Sequence, residues 1–188
     1  FADLRCHAST TDQFQRLHRG IMKFDTSSIG DSDTIDSAIL SLVASEKWTT
    51  FMDGDVNLTA VTTASQSTLG TADYAIANYG STDFTTDVVV STVNVDQSTY
   101  TNMTLNASGL SNISKTANSS FAFRLEVDID NTSYPFGTWS ASTLVGVSAF
   151  SADDNAGTTK DPKLVVEYTA AVTTSTSTTT TTTTSTST

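Results

Sequence analysis

The sequence predicts an all-β chain: a jelly-roll-type β-sandwich of about eight or nine antiparallel strands, followed by a Ser/Thr-rich C-terminal tail. Three observations predict it. Apolar residues recur at every second position, most clearly at Phe121, Phe123, Leu125 and Val127, the period of a strand with one buried face. Ser and Thr supply 63 of the 188 residues, and Thr, stiff at its branched Cβ, favours strands over helix interiors. The apolar runs are short and separated by clusters of Gly, Asn, Asp and Ser, which is turn chemistry at sandwich spacing.

Taken in order, residues 16–25 read as one strand with Met22 and Phe24 on one face, followed by the turn-rich run Asp25-Thr-Ser-Ser-Ile-Gly-Asp-Ser-Asp. Residues 35–44 form the next strand, with Ala38, Leu40 and Leu42 pointing inward. Residues 56–61 place Val56, Leu58 and Ala60 on one side. Residues 64–83 are irregular, with Tyr74, Ile76 and Tyr79 as anchors. The Val- and Thr-rich residues 84–95 supply one or two strands and residues 100–105 another, while 110–117 read as a short helical turn or loop. Trp139 is expected to lid the core after the turn Tyr134-Pro135-Phe136-Gly137, and residues 144–150 and 163–168 are the last strands. The folded domain is expected over residues 1–168, with a tail over 169–188.

Composition narrows the function. Net charge is −11, with only nine Lys and Arg and no basic run. Nucleic acid and anionic membranes are therefore poor partners. An acidic surface suits solubility, calcium or neutral glycans. Cys6 is the only cysteine, so an internal disulfide is excluded. It reads as a free, semi-buried thiol, with a bridge between two copies as the alternative. No apolar run approaches the ~18 residues needed to span a bilayer. The chain begins at Phe1 rather than Met, so an upstream segment is expected, whether cleaved off, cut away or outside this sequence.

Three stretches occur in a specific order: Arg19-Gly-Ile-Met-Lys-Phe-Asp-Thr-Ser-Ser-Ile, Ile35-Asp-Ser-Ala-Ile-Leu-Ser-Leu and Asp161-Pro-Lys-Leu-Val-Val-Glu-Tyr. Together, across residues 4–168, they resemble the DNRLRE-type domains, relatives of carbohydrate-binding module family 96 and of disaggregatase-related modules. The resemblance implies a jelly roll on secreted or surface proteins of microbes and their viruses. Such modules accompany other domains, and some bind acidic or neutral polysaccharides. It carries no catalytic residues. The pattern is short of one strand before residues 2–9, so an open sheet edge is expected there, available to a strand from another chain.

Several constellations bear on chemistry. His7 and His18 lie near the start, His18 in the strand expected over residues 16–25, without a motif that supplies a nucleophile and an orienting partner. Asp128 and Asp130 fall on the polar face opposite Phe123, Leu125 and Val127; paired carboxyls can serve glycoside hydrolysis, but a solvated face is the expectation. Asp53, Asp55 and Asn57 alternate as in a calcium loop, although Leu58 stands where such a loop needs Gly; calcium is a minor possibility. Asp31 and Asp33 form a similar half-site.

N-glycosylation sequons occur at Asn57, Asn102, Asn106, Asn112, Asn118 and Asn131, and the crowding of four between 102 and 118 predicts one sugar-coated region. The tail residues Thr173, Thr174, Thr176, Thr178, Thr179, Thr180, Thr181, Thr182, Thr183 and Thr184 are expected to carry O-linked sugars or to contact a neighbouring copy. Stalk, linker and docked strand all fit. Trp48, Tyr79 and Trp139 are the preferred glycan platforms, with Tyr74 and Tyr100 behind them.

These readings converge on a non-enzymatic extracellular structural subunit of a glycosylated filament or cell-surface layer, its copies joined through their termini. The alternative is a carbohydrate-binding or adhesive module of a larger secreted protein. The expected partners are copies of the chain and glycans, with no cofactor except calcium in the minor case.

Overall fold

The computed structural model describes residues 2–10, 13–50, 56–65, 70–129, 141–152, 157 and 159–172. Among these residues, ten strands form two antiparallel sheets: β1 (Ala2–Thr10), β2 (Gln13–Leu17), β3 (Gly20–Asp25), β4 (Thr34–Thr49), β5 (Asn57–Val61), β6 (Val88–Val89), β7 (Tyr100–Thr104), β8 (Asn118–Leu125), β9 (Leu144–Ala149) and β10 (Lys163–Thr169). One sheet runs β10-β4-β9-β1-β2 with β7 also paired to β4, and the other runs β3-β8-β5-β6. Setting aside β2 and β10, the orders β1-β9-β4-β7 and β3-β8-β5-β6 are the two nested Greek keys of a jelly roll.

Each strand is built by the alternation read above. On β1, Leu4, Cys6 and Ala8 enter the core, while Asp3, Arg5 and His7 take the outer face. Leu40 and Leu42 of β4 and Val145 and Val147 of β9 join them, opposite Leu58, Ala60, Phe121, Phe123 and Leu125 of the second sheet. Phe121 is fully buried and met edge-on by Phe24 and Phe84, with ring centroids 6.3 and 6.4 Å away. Burial of each such ring contributes about 2–3 kcal/mol, and the edge-on geometry suits the ring quadrupoles.

The structure departs from the sequence expectations at several points. The strand expected over residues 16–25 is two strands in different sheets: β2 pairs with β1, and β3 pairs with β8. The crossing falls at His18 and Arg19, where His18 still exchanges both backbone hydrogen bonds with Arg5. The edge expected to be open beside the first segment is occupied from Arg5 onward, where His18 and β2 pair with β1, while β9 takes its other edge along Ala2–His7. Strand β4 runs on to Thr49, pairing with β10 and β7 along its first part and with β9 along its last. The segment read as one or two strands over 84–95 holds only the bridge Thr85–Leu105, the two residues of β6 and a 3-10 turn, Val90–Thr92.

Helix α1 (Ala107–Ser111) starts earlier than the expected turn, because the Asn106 side chain accepts from the Gly109 N–H and caps it. Val127 does not continue β8: it lies in α2 (Glu126–Ile129), still buried, in a single helical turn that also turns Asp128 inward. Cys6 is a free, fully buried thiol, so it cannot reach another copy in the folded chain. Burial pushes its pKa far upward, with the nearby Asp128 charge adding to the effect.

Gly146 is required where it stands. Its φ is +148°, and a Cβ would run into the Leu4 carbonyl oxygen and come within 2.5 Å of Arg5 Cα. Any side chain at this point would therefore force β9 away from β1.

Candidate functional site

The four arginines of the chain are Arg5, Arg16, Arg19 and Arg124, and its two histidines are His7 and His18. The fold gathers all six at one corner. On the outer face of β1 and β2, Arg5 stands beside His18, and His7 beside Arg16. Arg5, His7, Arg16 and Leu144 line a small depression of about 140 Å³. Around the sheet edge, Asp3, Leu17, His18, Arg19 and Tyr79 line a larger one of about 500 Å³.

Register explains how Arg5 meets Trp48. Strand pairing places Trp48, Gly146 and Arg5 in one row across β4, β9 and β1. Gly146 has no side chain, so the Arg5 guanidinium lies across it onto the indole, 4.9 Å from the ring centroid. A guanidinium stacked on an aromatic face is a favourable cation–π pair that keeps some of its donors free. The neighbouring row holds Glu46, Ser148 and Asp3. Asp3 accepts from Ser148 Oγ at 2.9 Å and pairs with Arg5 at 2.9 Å, while His18 Nδ1 stands 3.8 Å away.

Beneath the larger depression, Asp128 is clamped by two arginines. Arg19 donates from Nε at 2.6 Å and from Nη2 at 2.5 Å to its two carboxylate oxygens, the bidentate fork that guanidinium geometry favours. Arg124 donates from Nε at 2.8 Å to the same carboxylate and from Nη2 at 2.6 Å to the Asp128 carbonyl, while its Nη1 reaches the Gly80 carbonyl at 2.9 Å. Both guanidiniums also lie on the Tyr79 ring, at 5.2 and 5.8 Å. Burial alone would raise the Asp128 pKa; the two arginines overcome it and hold the carboxyl below the usual carboxylate range. Asp128 is therefore buried and paired, not on the solvated face expected for it, because β8 ends at Leu125 and the helical turn redirects the side chain.

The expected site residues divide sharply. Trp48 and Tyr79 are at the corner. Tyr100 instead donates to the carbonyls of Thr159 and Asp161 and carries Lys163 on its face at 3.7 Å, which makes it an anchor for that segment. Asn57 of the calcium candidate directs its amide to Asp87 and Glu126, at 3.2 and 2.9 Å. Among the described residues, no three His, Cys, Asp or Glu side chains come together to hold a metal. Asp53, Asp55, Asp130, Asn131, Trp139 and residues 173–188 lie outside the described residues, as does the side chain of Tyr74. The arginine corner itself was not read from sequence; its members are scattered from position 5 to position 128, and only the alternation of Asp3, Arg5 and His7 with Leu4, Cys6 and Ala8 hinted at its outer face.

Chemically, the corner offers cationic donors beside two aromatic faces. Four arginines against Asp3, Glu46 and Asp128 leave it one net positive charge on a chain of −11. No family model, curated protein or solved structure matches this chain.

Two outcomes follow from this geometry. Asp128→Asn leaves two largely buried guanidiniums short of a counter-charge, at 15% and 4% side-chain exposure. Unfolding in urea is expected to show a loss of about 3–5 kcal/mol, as for other broken buried ion pairs. His18 has its pKa lowered, first by burial and then by Arg5, with Asp3 opposing and Arg16 reinforcing. A depressed histidine favours the folded state only while neutral, so its contribution is complete above the unfolded value of ~6.5 and is lost as pH falls from there through the folded value. Melting temperature should decline over that window, and His18→Gln should flatten the decline.

Proposed function

We propose that this chain is a non-catalytic, extracellular jelly-roll module that binds a carboxylate-bearing glycan through the arginine corner. The observation that carries the reading is the convergence of three of the four arginines of an acidic chain on two aromatic rings, Trp48 and Tyr79, with Arg16 lining the adjoining depression. A pyranose ring presents a flat C–H face that packs on an aromatic, and its carboxylate suits a guanidinium. Nucleic acid fits less well, since its backbone calls for a run of cations and this chain has nine Lys and Arg in all at a net charge of −11.

Hydrolysis at this corner is disfavoured by its own carboxylates. A glycosidase needs one carboxyl able to give up a proton and a second facing the same bond. Asp128 is held ionised behind two arginines, and Asp3 is bonded to Arg5 and Ser148. Among the described residues no helix is long and apolar enough to cross a membrane; the extracellular assignment rests on the resemblance, the sequons and the Ser/Thr composition.

Affinity electrophoresis tests the binding. A polyuronate in the gel should retard the protein, a neutral glucan should retard it less, and Arg5→Ala or Trp48→Ala should weaken the effect at least tenfold, with salt acting in the same direction. Equal mobility of wild type and both variants in every polysaccharide would end this reading.

A second reading, a structural subunit of a glycosylated filament or surface layer, is favoured by β10. This strand lies at the rim of its sheet; its last residue, Thr169, bonds to Asp36, and Ala171 just beyond it bonds to Asp33. The chain is thus directed along the β3–β4 loop toward its Ser/Thr run. Copies would then join by strand addition at this rim. Removing residues 173–188 should convert sedimenting filaments to monomers; filaments that persist would exclude the tail as connector.

A further inference from the structure

The outer face of the larger sheet is covered at one end and bare at the other. Near Val43, which is fully buried, Tyr100 of β7 reaches the carbonyls of Thr159 and Asp161 and carries Lys163 on its ring, which closes this end of the face. Further along, Ile39 and its β10 partner Val165 are 37% and 48% exposed. Asn102 stands at the boundary, exposed on β7, opposite Ser41 and diagonal to Ile39. Diagonal neighbours of an antiparallel pair lie ~7–8 Å apart, within reach of one bulky group.

The sequon amides differ in what they are already doing. Asn57 donates to Asp87 and Glu126, Asn106 to the Asp83 carbonyl while its oxygen caps α1, and Asn112 to the Ser120 carbonyl. Asn118 is half-buried, and the hydroxyl residue of its sequon, Ser120, is fully buried. Asn102 alone among these combines an exposed side chain, an exposed sequon Thr104 and an Nδ2 without a partner among the described residues. Its Oδ1 accepts from Ser41 at 2.7 Å, so the amide is held through its oxygen and Nδ2 is left uncommitted.

We infer that Asn102 carries an N-linked glycan whose first sugar lies over Ile39 and Val165 and completes the cover of the sheet. The modification joins Nδ2 of Asn102 to C1 of a lipid-pyrophosphate-linked oligosaccharide. The C1–oxygen bond breaks, the lipid pyrophosphate leaves with the electron pair, and Nδ2 gives up one proton to the transferring enzyme. An N-acetylhexosamine at this point presents a C–H face to the two aliphatic side chains, which removes their apolar surface from water. The inference rests on the extracellular part of the function proposed above, since only a secreted chain meets the transferase, but not on polysaccharide binding.

The test uses the full chain secreted from a eukaryotic host that performs N-glycosylation. Glycopeptide mass spectrometry is expected to find Asn102 occupied in most molecules. Removal of N-glycans from the folded protein by an amidase should raise the fluorescence of a hydrophobic dye at least threefold. Thr104→Ala, which destroys the sequon but keeps the Asn102–Ser41 hydrogen bond, should give the same high signal, and Ile39→Thr with Val165→Thr should abolish the rise. An unmodified Asn102 overturns the assignment whatever the other sequons carry. An occupied Asn102 whose removal, and whose Thr104→Ala variant, leave dye binding at the starting level overturns the cover.

Discussion

The Asp128 carboxylate, held between Arg19 and Arg124, is the contact on which the corner of this jelly roll depends. Arg19 sits where the chain passes from the larger sheet to the smaller, Arg124 near the end of β8, and Asp128 in the turn that follows it. One buried anion thus ties together the crossover, the end of β8 in the second sheet and, through Arg124, Gly80 and Tyr79. Charges at this depth are costly to desolvate, and the attraction repays that cost only because nearly every donor finds an acceptor. The cluster specifies geometry more than it adds stability, which comes mainly from the apolar interior around Phe121 and Phe123.

The division of labour between faces follows from period-two alternation. Along β1, Leu4, Cys6 and Ala8 serve the interior, while Asp3, Arg5 and His7 are delivered to the surface in a row. Strand register then decides their partners: Trp48 and Arg5 are separated by one strand, and the strand between them contributes no side chain at that level. A flat sheet face with a stacked cation is the product of a single glycine in a forced conformation. The same sheet, further along β4, presents Ser37, Ile39 and Ser41 beside Glu167, Val165 and Lys163 of β10, so its two ends are chemically distinct surfaces on one scaffold.

Much of this architecture was legible in the amino-acid order. The alternation at Ala38, Leu40 and Leu42, at Leu58 and Ala60, and at Phe121, Phe123 and Leu125 marks the residues that form the core. The misreadings have physical causes. Continuity of apolar residues made 16–25 look like one strand, although Arg19 must leave the sheet to reach its partner 109 positions away. Val127 keeps the spacing of a strand but is buried from a helical turn, so Asp128 was assigned to the wrong side. Sequons are visible as letters, yet whether an amide is free depends on partners such as Glu126 and Ser120, which no local pattern reveals. The corner was hidden for the same reason, since pairing between distant segments creates it.

Cys6 carries a consequence of its own. Its sulfur is sealed in the interior on the strand whose other face bears Arg5 and His7, and its proton is held tightly. Because thiolate chemistry requires both solvent contact and ionisation, the folded chain is inert toward alkylating and oxidising reagents at this atom. Chemical damage there can occur only during moments when β1 peels from its neighbours. The molecule therefore keeps an internal record of its own breathing: the fraction of permanently marked Cys6 in an aged sample counts how often that strand has been loose.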